Sequence, residues 1–301
     1  MSKQKKRTKE KMGVFNWIVL SLLIFYCVLL FSFYIFGLFS SVNTRTVYNH
    51  KIYFPDGNEW KWAFDNFVKV FNSFVIDNQL LADGTMGYAN FFSMTINSFV
   101  FAGLASLSRC VATCLVAYAT SRFAYKFSEW VYTFVIVSMV IPIIGGTPSL
   151  IVIIRALGLY EKMLSVVLNA FAFHGFYFLV VYSVMQALSK DYAEAAYLDG
   201  ASEWTVMTRI MIPLAMPTLS TIFLIVFIEN WNSYGFILVF LKSYPTLSYG
   251  VFKMSLENVN GMDHATMRMA SAFLVAIPVF ILYMLFRNKI MKNVTMGGVK
   301  E

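Results

Sequence analysis

Charge is scarce in this chain: Asp, Glu, Lys and Arg supply 13% of its 301 residues, about half the usage of an ordinary soluble domain. That scarcity excludes a fold with a charged, water-solvated surface, because the apolar 58% is gathered into long blocks. Cysteine is scarce as well. Cys27, Cys110 and Cys114 all lie inside apolar runs, which excludes a loop-borne disulfide framework and leaves them as small hydrophobes. Cys110 and Cys114 share a helical face, yet no third or fourth ligand stands near them to build a metal site. Also missing are a phosphate loop of the G-x-x-x-x-G-K-S/T type and an H-E-x-x-H motif. No serine or cysteine has a convincing nucleophile–base partner, so an intramembrane enzyme is disfavoured. The chain reads as non-enzymatic and without a cofactor of its own.

What is present is apolar length. About 20 apolar residues cross the hydrocarbon core, and candidate spans fall at Trp17–Phe39, Ser98–Ala119, Val131–Leu150, Leu164–Val184, Thr218–Leu241 and Met269–Leu285. The sequence therefore predicts an all-α integral membrane protein with six transmembrane helices. The first run exceeds the core of a secretory signal and no A-x-A-like site ends it, so it is read as an uncleaved span. Lys3, Lys5, Lys6, Arg7, Lys9 and Lys11 crowd the amino-terminal tail, and Arg287, Lys289, Lys292 and Lys300 the carboxy-terminal one. The positive-inside rule then places both termini in the cytoplasm, as an even span number requires. The lysine cluster suits an anionic inner leaflet and calls for no nucleic acid.

The expected organisation is a basic cytoplasmic tail (1–16), a first span (17–39), an extracytoplasmic segment (42–91), a five-span core (92–287) and a cytoplasmic tail (288–301). Within the extracytoplasmic segment, Phe54–Gly57 reads as a turn and Trp60–Phe71 has the apolar spacing of a short amphipathic helix. That helix can meet a partner or simply lie in the interface.

One cytoplasmic connection, residues 189–213, breaks the charge rule. Lys190 and Arg209 are outnumbered by Asp191, Glu194, Asp199 and Glu203. It reads as two short helices: Ser189 caps the first, Gly200 closes it where a left-handed residue is cheapest, Ser202 caps the second, and Pro213 marks the return to the membrane. Ala193, Ala195 and Ala196 keep the first helix thin enough for another protein's backbone to approach.

Glu194-Ala195-Ala196, then Asp199-Gly200, then Ile210 and Pro213 resemble the EAA signature of bacterial ABC importer permeases. The run Glu194–Ser202 is similar to the carbohydrate-uptake branch, that of the maltose and oligosaccharide permeases; Ile212 stands where leucine is commoner. Weaker similarities run in the same order along the chain, at Phe54-Pro55, Asn97-Ser98, Ala117–Ala119, Arg122-Phe123, Trp231-Asn232 and Gly297–Lys300. Residues 72–87 resemble nothing in the family. The resemblance implies a type I importer-like bundle with a cytoplasmic coupling helix, sited in the bacterial inner membrane. It implies a homologous second permease subunit, two cytoplasmic ATPase subunits that carry the ATP and Mg, and an extracytoplasmic sugar-binding protein. Glu194, Ala195, Ala196, Asp199, Gly200, Ile210 and Pro213 would be the ATPase-coupling residues, and a sugar would cross by alternating access.

Charge inside the membrane is costly, so Glu229 in the fifth span is a candidate for the substrate path, with Asn230, Trp231, Asn232 and Tyr234 beside it. Sugars need hydrogen-bonding groups and an aromatic face, and this patch offers both. Glu229 and Asn230 can equally serve as polar glue between helices. Arg109 can face an aqueous cavity or pair with Glu229. Pro142, Gly145, Gly146 and Pro148 predict a broken third span, lining a cavity or kinked for packing. The histidines, His50, His174 and His264, are scattered. The competing reading is an ion-coupled secondary transporter of a small polar solute, for which Glu229 is the one feature and the lack of repeated halves the objection.

Overall fold

The longest apolar runs form the longest helices. The computed structural model describes residues 13–44, 48, 64–80, 85–123, 125–141, 145–173, 175–256 and 264–294. Four helices in it are long and apolar enough to cross a membrane: Val14–Ser41, Phe91–Arg122, Glu203–Asn232 and Ala265–Leu285. The first is α1. Its apolar side chains are nearly all exposed, and only Gly37, Ser40 and Ser41 are buried. A Cβ on Gly37 would lie 3.4 Å from the Phe273 ring, so this small residue sets how closely α1 meets the last helix.

The next helix, α2 (Asp65–Ser73), is the amphipathic one expected from sequence, displaced toward the carboxy terminus. Trp60–Ala63 and the turn at Phe54–Gly57 lie outside the described residues, as do His50 and His174. The Asn66 amide, buried in α2, donates to the carbonyls of Ser41 and Asn43 at 2.8 and 2.9 Å and fastens α2 to the end of α1. After α2 comes an antiparallel hairpin, β1 (Val75–Leu80) and β2 (Met86–Asn90), with a register shift between Ile76 and Gln79. The all-α expectation is therefore corrected to mostly helical. Ile76 and Ala89, paired across the hairpin, are both buried, so its inner face rests on the bundle as period-two burial demands.

Helix α3 (Phe91–Arg122) starts at a capping box in which Asn90 and Ser93 satisfy each other's backbone N–H groups. It packs along the helices that follow and forms the centre of the fold. The expected third span is two helices, α4 (Lys126–Val140) and α5 (Gly146–Ala156), separated by the Pro/Gly break; Gly145 has φ +77°. Pro142 lies outside the described residues.

The fourth span, expected to be continuous, is also interrupted. Helix α6 (Leu164–Ala170) and helix α7 (Phe176–Ala187) flank an unwound stretch where Gly175 has φ +108°. Only glycine takes that backbone cheaply, which is why the apolar run Phe171–Phe173 could not carry a helix through it.

Helix α8 (Asp191–Leu198) is the first helix of the acidic connection. The second is corrected. α9 (Glu203–Val206) does not end before the membrane: it runs through a π turn (Met207–Met211) into α10 (Ile212–Asn232) without a break. Pro213 has no N–H to give to the preceding turn, and a wider π turn just before it accommodates that loss.

Beyond α10 come α11 (Gly235–Phe240), α12 (Leu247–Leu256) and α13 (Ala265–Val294). The fifth apolar run is thus divided at Ser233-Tyr234. Asn97 and Ser98 of α3 hold the α11–α12 connection, the amide donating to the Pro245 carbonyl at 3.1 Å and the hydroxyl accepting from Leu247 N–H at 2.8 Å. Two apolar cores result. One, around Phe74, Met94 and Trp231, joins the hairpin to α3 and α10–α12; the other, around Phe178, Met185 and Met211, joins α3, α7 and the base of α10.

Candidate functional site: an exposed helix at one end and a polar cavity in the bundle

Helix α8 is exposed along most of its length, with only Ala193 buried. The Ser189 hydroxyl accepts from Asp191 N–H at 3.2 Å, and Asp191 and Glu194 sit in the first turn, where the helix dipole favours acid. Leu198, 90% exposed, projects from the last turn. The turn is then made by Gly200 at φ +81°, whose N–H donates to the Tyr197 carbonyl at 3.0 Å. Ser202 caps α9 by accepting from Thr205 N–H at 3.3 Å. Glu194, Ala195 and Asp199 share this exposed end, with Ala196 half-buried, while Ile210 lies in the π turn and Pro213 at the start of α10. Every sequence-derived residue of the connection is thus brought to one end of the bundle.

The last turn of α3 grips this connection. Tyr118 donates its phenolic O–H to Glu203 Oε2 at 3.2 Å, and the Tyr197 phenol lies within reach of the same carboxylate's charge. One turn on, Arg122 Nη2 donates to the Leu188 carbonyl at 3.0 Å and lies 3.3 Å from Met211 Sδ. Partial burial raises the Tyr197 phenol above its ordinary pKa, and the neighbouring Glu203 carboxylate adds to the rise. Sequence reading missed Tyr118, Arg122, Tyr197 and Glu203 as a set. The only available signal was the four-residue spacing of Tyr118 and Arg122.

Between α3, α6, α7, α10 and α11 lies a polar cavity of about 320 Å³, lined among others by Arg109, Asn169, Tyr177, Glu229, Asn230 and Ser233. Tyr177 donates to Glu229 Oε1 at 2.8 Å. Arg109 shares the cavity, but its guanidinium donates to the Ala172 carbonyl at 2.7 Å rather than to Glu229. Of the two alternatives for Arg109, it lines the cavity, and it and Glu229 make separate hydrogen bonds. The unwound stretch between α6 and α7 leaves a carbonyl without a helical partner, and a buried carbonyl must find a donor. Asn169 and Tyr177 were not singled out from sequence, because an amide or phenol in an apolar run carries no sign of where it points.

The polar patch of α10 does not face one way, since neighbours on a helix point about 100° apart. Glu229 and Asn230 line the cavity. Trp231 is 1% exposed, stacks on Phe227 and donates its indole N–H to the Val275 carbonyl at 3.2 Å, fastening α10 to α13. Asn232 and Tyr234 line a second pocket with Ser248, Phe252 and Val275, where the Tyr234 ring lies 4.2 Å from that of Phe252. Cys110 and Cys114 are buried beside α10, and among the described residues no cluster of metal-ligating side chains occurs.

Known proteins share the family and the fold. The profile of the family described as "Binding-protein-dependent transport system inner membrane component" matches residues 111–295, more than half of the chain. The trehalose/maltose transport system permease protein of Thermococcus litoralis is 28% identical over 243 residues, covering 80% of this chain and 83% of its own. The crystal structure of a bacterial ABC transporter that imports the acidic polysaccharide alginate contains a chain with TM-score 0.72 and 19% identity, covering 93% of this chain and 99% of that one. A second structure, of a bacterial alginate transporter with its pentasaccharide-bound periplasmic protein, matches at TM-score 0.63 and 17% identity, covering 94% of this chain and 95% of that one.

Proposed function

Given that the chain belongs to the family of binding-protein-dependent transport system inner membrane components, we propose that it moves a sugar, an oligosaccharide by preference, and that α8 is where a separate ATPase docks. As a permease component of an ABC importer it is a multi-pass inner-membrane protein with no catalytic role and no cofactor, and ATP is used by the partner ATPase. The sugar assignment draws on the trehalose/maltose permease as a relative and on a polar cavity with hydrogen-bonding side chains.

The observation that carries the docking reading is the exposure of α8. It is a slender acidic helix, closed by a left-handed glycine, set beside the helix that runs on to the cavity. Glu194, Ala195, Ala196, Asp199 and Gly200 form its docking surface and its stop; Ile210 and Pro213 join it to α10. The bundle has six spans, α4–α5 and α6–α7 being interrupted ones, with both termini and α8 on the cytoplasmic side. The organisation is that of a tail (1–16), a first span (17–39), an extracytoplasmic segment (42–91), a permease core (92–287) with its coupling connection (189–213), and a tail (288–301). A second, homologous permease subunit completes the pathway, two ATPase subunits sit beneath, and a sugar-binding protein delivers the cargo from outside. Glu229 and Asn230 face the solute; Asn232 and Tyr234 lie on its path, and Trp231 holds α10 against α13 behind them.

Purification of the whole complex from its native membrane tests this, followed by uptake of a panel of labelled mono- and oligosaccharides into liposomes containing it. Uptake is expected only with MgATP on the ATPase side. Gly200→Pro is expected to abolish it while the protein stays folded and inserted, because proline fixes φ near −65° and removes the N–H bonded to Tyr197. Uptake driven by an ion gradient without ATPase would instead support the secondary-transporter reading.

A further inference from the structure

The covalent route from α8 to the membrane is weak: Asp199–Ser202 is non-helical and contains the left-handed Gly200. A displacement of α8 passed only along the chain would be absorbed there. The Glu203 carboxylate spans this turn. It stands just beyond it at the start of α9 and accepts from Tyr118, a 5%-exposed residue of α3, while the Tyr197 phenol before the turn feels the same carboxylate's charge. Arg122, on the same face of α3, holds the chain just ahead of α8 through the Leu188 carbonyl and touches Met211 of the π turn. The last turn of α3 therefore holds the connection on both sides of α8. The same helix packs along α7 and α10 and sends Arg109 into the polar cavity.

We propose that Glu203 is a positioning residue whose carboxylate, held by Tyr118 beside the Tyr197 phenol, acts with the Arg122–Leu188 bond to make α8 and α3 move as one body, so that α3 carries ATPase motion to the cavity. This rests on the reading of α8 as the docking helix. An acidic residue in the first turn of α9 is already favoured by the helix dipole; that role alone needs neither phenol and predicts no coupling to α3.

The test uses the purified complex with its ATPase in lipid nanodiscs. Spin labels are placed by Leu198→Cys on α8 and Tyr125→Cys just past α3, with Cys27→Ser removing the exposed native thiol. The distance between the labels is measured before and after MgATP with vanadate. With Tyr118, Tyr197 and Glu203 intact the distance is expected to stay fixed. In Tyr118→Phe, which deletes a single hydroxyl, and in Glu203→Ala, it is expected to shift or broaden on nucleotide addition while the ATPase stays bound and hydrolyses MgATP. Glu203→Gln, which keeps an acceptor, restores the fixed distance at least in part. Tyr118→Phe with Glu203→Ala moves no further than Glu203→Ala alone, because both cut one strut. The proposal is overturned by a fixed distance in the variants, by a nucleotide-dependent change with the strut intact, by additive effects in the double variant, or by loss of the ATPase from Tyr118→Phe. A Leu198 label equally mobile with the ATPase bound and stripped away removes the docking reading itself, and the strut with it.

Discussion

Glu229 shows how much a single side chain depends on its neighbours. In an apolar helix a carboxylate is a functional candidate by cost alone. Here Tyr177 satisfies one oxygen at 2.8 Å and the rest of the carboxylate faces a cavity shared with Arg109. Glu229→Gln keeps an acceptor for Tyr177 while removing the charge. If Glu229 contacts the solute, uptake is expected to fall about ten- to a hundredfold, the equivalent of a charge-assisted hydrogen bond of roughly 1.5–3 kcal/mol, with the thermal midpoint unchanged. Unchanged uptake with a lowered midpoint would assign Glu229 to packing. Sequence placed Glu229 in the right helix, yet could not separate it from Trp231, two positions on. Spacing indicates that they point apart; α13 covers Trp231, whereas Glu229 opens onto the cavity beside Tyr177.

At the level of helices and strands, apolar run length was the dependable signal, and the interruptions were the weak one. α1, α3 and α13 cover three of the expected spans, and α10 covers the first part of the fifth. The breaks at Gly175 and at Ser233-Tyr234 were not legible, because one glycine or one serine in an apolar run is compatible with a continuous helix until tertiary contacts decide. The hairpin was hidden for a related reason: Val75–Leu80 and Met86–Asn90 are short, and their pairing is favoured by burial of Ile76 and Ala89 against the bundle. Close approach between elements also escapes sequence. Gly250 of α12 lies so near the hairpin end that a Cβ there would sit 2.7 Å from Phe74 and 2.8 Å from Met94. Gly250→Val is therefore expected to destabilise the protein by about 1–3 kcal/mol through overpacking, read as a lower unfolding midpoint in detergent. Gly103, with open space around its Cβ position, is the control in which Gly103→Ala leaves the midpoint nearly unchanged.

Across the whole molecule, one end of the bundle is exposed, acidic and mechanically tied to α3, while the polar cavity lies deeper among the same helices. α3 and α10 reach both places, which gives the fold a physical route between the exposed connection and the cavity. The motif at Glu194–Pro213 was legible because its residue types answer local needs, acid at a helix start and glycine at a left-handed turn, although Pro213 lies within a continuous helix just after a π turn. The strut from Tyr118 to Glu203 was not, because it depends on residues 85 positions apart meeting in space.

The claim that α8 receives the ATPase is tested most directly by a photo-crosslinking amino acid at position 198, where the native leucine is 90% exposed, in the complex purified from its native membrane. The expected result is an adduct between this chain and the ATP-hydrolysing subunit whose yield changes with MgATP. A complex that retains its ATPase and hydrolyses ATP but gives no such adduct from position 198 would contradict the account.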